Sequence, residues 1–168
     1  MRKESENYVE NAVAARKNWR RAVVLDVTMG GGMERLDPSF PIGNVLVPES
    51  RKKSLSILGM WEGLKVFSKK KEIDESYFMS ERKLGKARNC KSYGKLVGVQ
   101  IGEDVMEIEK AVEEVFKKEY VKNIKERYGK IIEGLKREAE KREVVLLDYN
   151  YEKYPVSHAM MLKELIDS

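Results

Sequence analysis

The densest apolar pattern in the chain runs over residues 54–67, SLSILGMWEGLKVF. Leu55, Ile57, Leu58, Met60, Trp61, Leu64, Val66 and Phe67 spread around almost the whole circumference when placed at about 100° per residue. A helix that is apolar on every side predicts a buried one. Gly59 and Gly63 share one side and would let another backbone approach closely, at a propensity cost of about 1 kcal/mol each. Glu62 and Lys65 share a different stripe. Charges on a buried helix are expensive without partners. An i,i+3 ion pair at a surface edge would account for them, and so would a polar pocket with Trp61 as its wall.

Around this helix the pattern predicts the order α-β-loop-α-β-α-α-β-α. Tyr8, Val9, Ala12, Ala15 and Trp19 mark a first helix at about residues 5–20. AVVLDV (Ala22–Val27) is an apolar, β-branched run closed by Gly30–Gly32, as a buried strand would be. Residues 28–53, with Pro38, Pro41 and Pro48, read as one long irregular segment. KLVGVQI (Lys95–Ile101) reads as a second strand, with Asp104 placed to cap the following helix. Residues 105–119 and 120–141 both carry a 3.6-residue apolar period, and typical helix lengths favour two helices over one. EVVLLDY (Glu143–Tyr149) is a third strand, and Ser157 would cap a last helix reaching Ile166. The expected fold class is α+β, predominantly helical, with a small sheet of about three short strands. No repeat or low-complexity linker divides the chain, so residues 1–168 are expected to form a single domain.

Composition narrows the class. Hydrophobic residues are 42% of the 168, which excludes a disordered chain. Charged residues are 36%, well above the usual quarter. Gln occurs once, at Gln100, and charged, amide-poor surfaces of this kind are expected of heat-adapted proteins. A single cysteine, Cys90, allows no internal disulfide and fits a reducing compartment. No apolar run approaches the length of a membrane span, and MRKESENYVEN has no signal-peptide core. A cytoplasmic protein without membrane contact is therefore expected.

Net charge is +5 and the pI is about 9.1. Lys and Arg gather at Arg16–Arg21, Arg51–Lys53 and Lys69–Lys71. Solvated loops and helix ends explain these clusters first, and a phosphate or nucleic-acid surface second. One histidine, His158, and one cysteine make no plausible zinc site, and no cofactor is implied. His158 falls in the first turn of the last helix, where a structural role is favoured. Asp26 interrupts its strand and reads as structural. Asp148, at the end of an apolar strand, suits either a turn cap or a site. MGGGM (Met29–Met33) lacks the Lys-Ser/Thr tail of a phosphate loop and reads as a flexible turn.

The segment SILGMWEGLKVF resembles the motif helix of the NADAR (YbiA-like) superfamily, and more closely that of an uncharacterised branch of it. There, an F-Y-P loop precedes a helix of the type S-V-E-x-x-x-x-x-x-K-F. Ser39-Phe40-Pro41 stands for the loop, and Ser56, Lys65 and Phe67 for the helix. Leu25–Thr28, Val47-Pro48, Trp61–Phe67, Arg88, Val144–Asn150 and Pro155–Ala159 follow the branch in order along nearly the whole chain. The resemblance implies a mainly helical fold that hydrolyses N-glycosidic bonds in nucleotide- or ADP-ribose-type substrates without a metal. Such chemistry builds positive charge on the ribose, which a carboxylate must steady. It also needs a donor for the departing base and cations for phosphate. By resemblance, Glu62, Lys65 and Asp148 are the catalytic candidates. Trp61, Arg88, Phe40 and Asn150 are the substrate-binding ones. The family's helix glutamate falls on Leu58, with Glu62 one turn further on. A non-catalytic nucleotide- or nucleic-acid-binding module is therefore the alternative.

Overall fold

The computed structural model describes residues 22–81, 90–149 and 154–168, without the side chains of residues 90 and 91. The expected helix at 5–20, Arg88 and Asn150 lie outside those residues. The chain divides into two compact units, residues 38–120 and residues 1–37 with 121–168.

In the 38–120 unit, strands β2 (Val45–Leu46) and β3 (Lys53–Ser54) form a small antiparallel hairpin inside the segment expected to be irregular. Helix α1 spans Ile57–Leu64. Its start is set by Ser56, whose Oγ accepts from the Gly59 amide at 2.9 Å, as an N-cap does. Ile57, Leu58, Met60, Trp61 and Leu64 are all buried, so the all-round apolar pattern has its expected meaning. The helix is shorter than its apolar run. Lys65–Phe67 leave it as strand β4, pairing antiparallel with β5 (Leu96–Ile101) through Lys65↔Val99 and Val66↔Gly98. Val66 and Phe67 fit the end of an apolar helix or a short strand equally well, and the β5 ladder decides it.

Asp104 does not cap a helix. It begins β6 (Asp104–Met106), which folds back on β5 through a turn at Gly102, φ +61°. After a four-residue helix α2 (Cys90–Tyr93) and then β5 and β6, α3 (Ile108–Ala111) leads through a wide helical turn (Val112–Lys117) into α4 (Lys118–Ala139). The two helices expected at 105–141 are thus one near-continuous run. Its kink sits at Tyr128 (φ −126°, ψ 23°), just ahead of Gly129.

Gly59 and Gly63 do admit a close neighbour. A Cβ on Gly59 would lie 2.8 Å from the Tyr77 carbonyl oxygen, and one on Gly63 would lie 2.4 Å from the Phe78 ring. The segment Asp74–Phe78 is held there by Asp74 N–H donating to the Gly63 carbonyl (2.9 Å) and Leu55 N–H donating to the Phe78 carbonyl (2.7 Å). Backbone cannot yield as a flexible side chain does. Gly59→Ala is therefore expected to lower stability by about 1–3 kcal/mol, despite Ala's better helix propensity. A urea titration that finds the variant as stable as the parent would refute the packing argument.

In the other unit, β1 (Ala22–Asp26) pairs in parallel with β7 (Glu143–Leu147), from Ala22↔Glu143 to Asp26↔Leu147. Residues 121–139 of α4 and helix α5 (His158–Asp167) belong to the same unit. Its buried apolar residues include Val27, Leu36, Ile124, Ile132, Leu135, Val145, Leu147, Met161, Leu162 and Leu165. The α+β class holds, but the strands of the described residues form three small sheets of two, two and three strands rather than one sheet. No helix among the described residues is long and apolar enough to cross a membrane.

Candidate functional site

Two groups of polar side chains stand out, one in each unit. The first is at the junction of α1 and β4. Lys65 Nζ donates to Glu62 Oε1 at 2.5 Å, with the two side chains 20% and 18% exposed. Helical spacing brings the pair together, and the change of direction after Leu64 keeps both heads at the rim of an otherwise buried element. The expected loop motif lies against the other end of α1. The Leu58 amide donates to the Pro38 carbonyl (2.9 Å), and the Gly43 amide to the Leu55 carbonyl (2.8 Å). Phe40 is in this loop, half-buried. Trp61 is 2% exposed, and its ring meets Phe116 edge-on at 5.4 Å between centroids. It is a core side chain in this arrangement, not an open wall. Leu58 is likewise in the core, 4% exposed.

The second group is built at the carboxyl ends of the parallel strands β1 and β7, where α/β arrangements place their polar sites. The Asp148 side chain is 4% exposed, and its Oδ2 accepts from Ser157 Oγ at 2.8 Å. The same oxygen lies 3.1 Å from Nδ1 of His158, a contact too bent for a good hydrogen bond but close enough for strong Coulomb attraction. Nε2 of His158 donates to the Val27 carbonyl at 2.8 Å. His158 is fully buried, and Tyr154 packs edge-on against it at 5.5 Å. Burial pulls the His158 pKa down. Its contacts with Asp148, the Val27 carbonyl and the charge of Asp37 pull it up by more, so the value is raised above 6.5.

The loop after β1 completes this cluster. Asp26 Oδ1 accepts from both the amide and the hydroxyl of Thr28, at 3.0 and 2.6 Å. Asp37, 2% exposed, takes the Tyr154 hydroxyl on Oδ1 (2.6 Å) and the Met29 amide on Oδ2 (3.2 Å). The Gly30 amide donates to Glu34 Oε2 (3.1 Å). The glycine-rich turn is thus tied down, with three successive amides capped by carboxylates. Gly31 leaves no room for a side chain, since its Cβ would fall 2.4 Å from Asp26 Oδ1.

Of the expected site residues, Glu62 and Lys65 are brought together in one unit, with Trp61 and Phe40 in the same unit. Asp148 belongs to the other. Arg88 and Asn150 lie outside the described residues, as does the Cys90 side chain. Asp37, Tyr154 and Thr28 were not singled out by sequence. Asp37 precedes a proline in a loop and carries no signal of burial. Tyr154 lies in a short stretch between the last strand and the last helix, where no periodic pattern marks a polar role. Serine, histidine and aspartate are neighbours here, yet Ser157 bonds Asp148 and not the imidazole, so they do not form a nucleophile relay. Among the described residues, no group of three His, Cys, Asp or Glu side chains could hold a metal ion.

No curated protein and no solved structure matches the chain. One family model does, over residues 7–162, and the chain belongs to that family, the family of unknown function DUF6939.

Proposed function

We propose that the chain binds a nucleotide- or ADP-ribose-type molecule and hydrolyses its N-glycosidic bond, with Glu62 and Lys65 as the reacting pair. The observation that carries this reading is the ion pair itself. Two opposite charges, each only about one-fifth exposed, meet at the rim of a buried helix, where a carboxylate and a cation within reach of one ligand are the pair such chemistry needs. A ligand phosphate would draw Lys65 toward itself, leaving the Glu62 carboxylate to face the ribose. As the bond from the anomeric carbon to the base nitrogen breaks, its electrons leave with the base, which takes a proton. The ribose carries the positive charge that Glu62 steadies, and water then adds to the anomeric carbon while losing a proton. Asp148 is already engaged by Ser157 and His158, so we assign it to the architecture of its own unit.

Leu58 favours a second reading. It is a core residue where the resembling family carries its glutamate, so the chain would keep the ligand and omit the hydrolysis. Incubation with an ADP-ribosylated nucleoside, NAD and simple nucleosides, followed by chromatography for free base, separates the two. Release that falls at least about 100-fold in Glu62→Gln, the usual lower scale for one acid–base group, supports the enzyme. Binding without release supports the module. Neither release nor binding with any of these compounds overturns both.

A further inference from the structure

We propose that His158 is a charged clasp, whose imidazolium ties the Val27 carbonyl just after β1 to the Asp148 carboxylate just after β7, and that losing its proton as the pH rises loosens the loop Thr28–Asp37. The geometry calls for a cation. A carbonyl oxygen only accepts, so the 2.8 Å contact to Val27 requires a proton on Nε2. An ionised carboxylate also only accepts, so the Asp148 oxygen 3.1 Å from Nδ1, although bent out of line, attracts a proton there and repels the lone pair of an unprotonated nitrogen. A neutral imidazole has one proton and can serve one side only. The two tied points directly follow the two parallel strands of the unit. The loop between Val27 and Asp37 is anchored to the same cluster, through the Met29 amide on Asp37 and the Tyr154 hydroxyl on Asp37. Among the described residues, the charged groups acting on the ring are Asp148, from the segment after β7, and Asp37, from the loop after β1. Tyr154, ahead of α5, is the titratable group packed against its face. Ser157 donates to the same Asp148 oxygen that faces the ring.

The sign follows from the raised value. The clasp contributes fully below about pH 6.5, the unfolded-state value, and its contribution disappears as pH climbs through the folded-state value. Raising the pH through the folded-state value therefore frees the loop.

The chain has a single histidine, so the test needs no assignment of competing signals. In the 168-residue chain labelled with nitrogen-15, both ring nitrogens of His158 are expected to read as protonated at pH 6, with a titration midpoint above 6.5. Through that midpoint, the amides of Val27, Thr28 and Met29 should lose protection from hydrogen exchange, about tenfold for each unit by which the midpoint is raised. The amides of Leu58 and Met60, in the other unit, should not change. Asp148→Asn should lower the midpoint, and His158→Gln should abolish the pH-dependent step in exchange. If either variant fails to fold, the unmodified protein still decides. A single protonated ring nitrogen at pH 6, a midpoint at or below 6.5, or loop protection unchanged through the titration would overturn the proposal.

Discussion

Replacing Asp148 by alanine is expected to cost about 3–5 kcal/mol at pH 6, the range for removing one partner of a buried charge pair. That is a large share of the 5–15 kcal/mol that holds an ordinary domain folded. The reason is what stays behind. His158 is fully buried, with Nε2 committed to the Val27 carbonyl, and without Asp148 its charge loses the strongest acidic neighbour acting on it among the described residues, with the weaker pull of Asp37 remaining. Ser157 also loses its acceptor. The variant protein escapes part of the penalty by releasing the proton, so the loss should shrink as pH rises and the parent's own imidazolium is neutralised. Urea titrations of parent and variant at pH 6 and pH 9 measure both points. A difference under about 1 kcal/mol at pH 6, the scale of an exposed pair, would return Asp148 to a ligand-facing role. So would a difference that does not vary with pH.

How much of this could be read from the chain differs by residue. Val144–Leu147 are legible as a strand because they are apolar, partly β-branched and short. Their pairing with Val23–Asp26 is not legible, because parallel partners lie far apart in sequence and leave no local mark on each other. β6 is invisible for another reason. It is three residues long, Val105 is about half exposed, and the same valine fits the apolar period of the following helix. Lys65–Phe67 could continue α1 or begin a strand, and only β5 resolves it. The Glu62–Lys65 pair was legible because helical spacing alone makes those residues neighbours. The Asp148–His158–Asp37 cluster was not, since it depends on two strand ends, a loop and a helix start meeting in one place. Single residues gave partial hints. Asp148 ends an apolar run, and a lone histidine opens the last helix, but nothing in the spacing says that the two touch.

Trp61 tests the boundary between core and site most directly. Trp61→Ala is expected to destabilise the protein by about 3–5 kcal/mol, as large-to-small changes at buried tryptophans do. Its side chain is 2% exposed, and its edge-on contact with Phe116 is worth about 0.5–1.5 kcal/mol beyond the area buried. Helix α1 offers little slack to refill the hole, because Gly59 and Gly63 already press their other side against residues 74–78. Trp61→Phe should cost much less, since it keeps an aromatic edge toward Phe116 and most of the volume. A ligand-stacking tryptophan would behave in the opposite way, with alanine barely moving the urea midpoint while removing nucleotide binding. Measuring unfolding and ligand affinity on the same two variants therefore assigns the indole. If alanine leaves stability within about 1 kcal/mol of the parent, the side chain contributes far less than its burial implies. The wall of the proposed site would then have to be drawn through it.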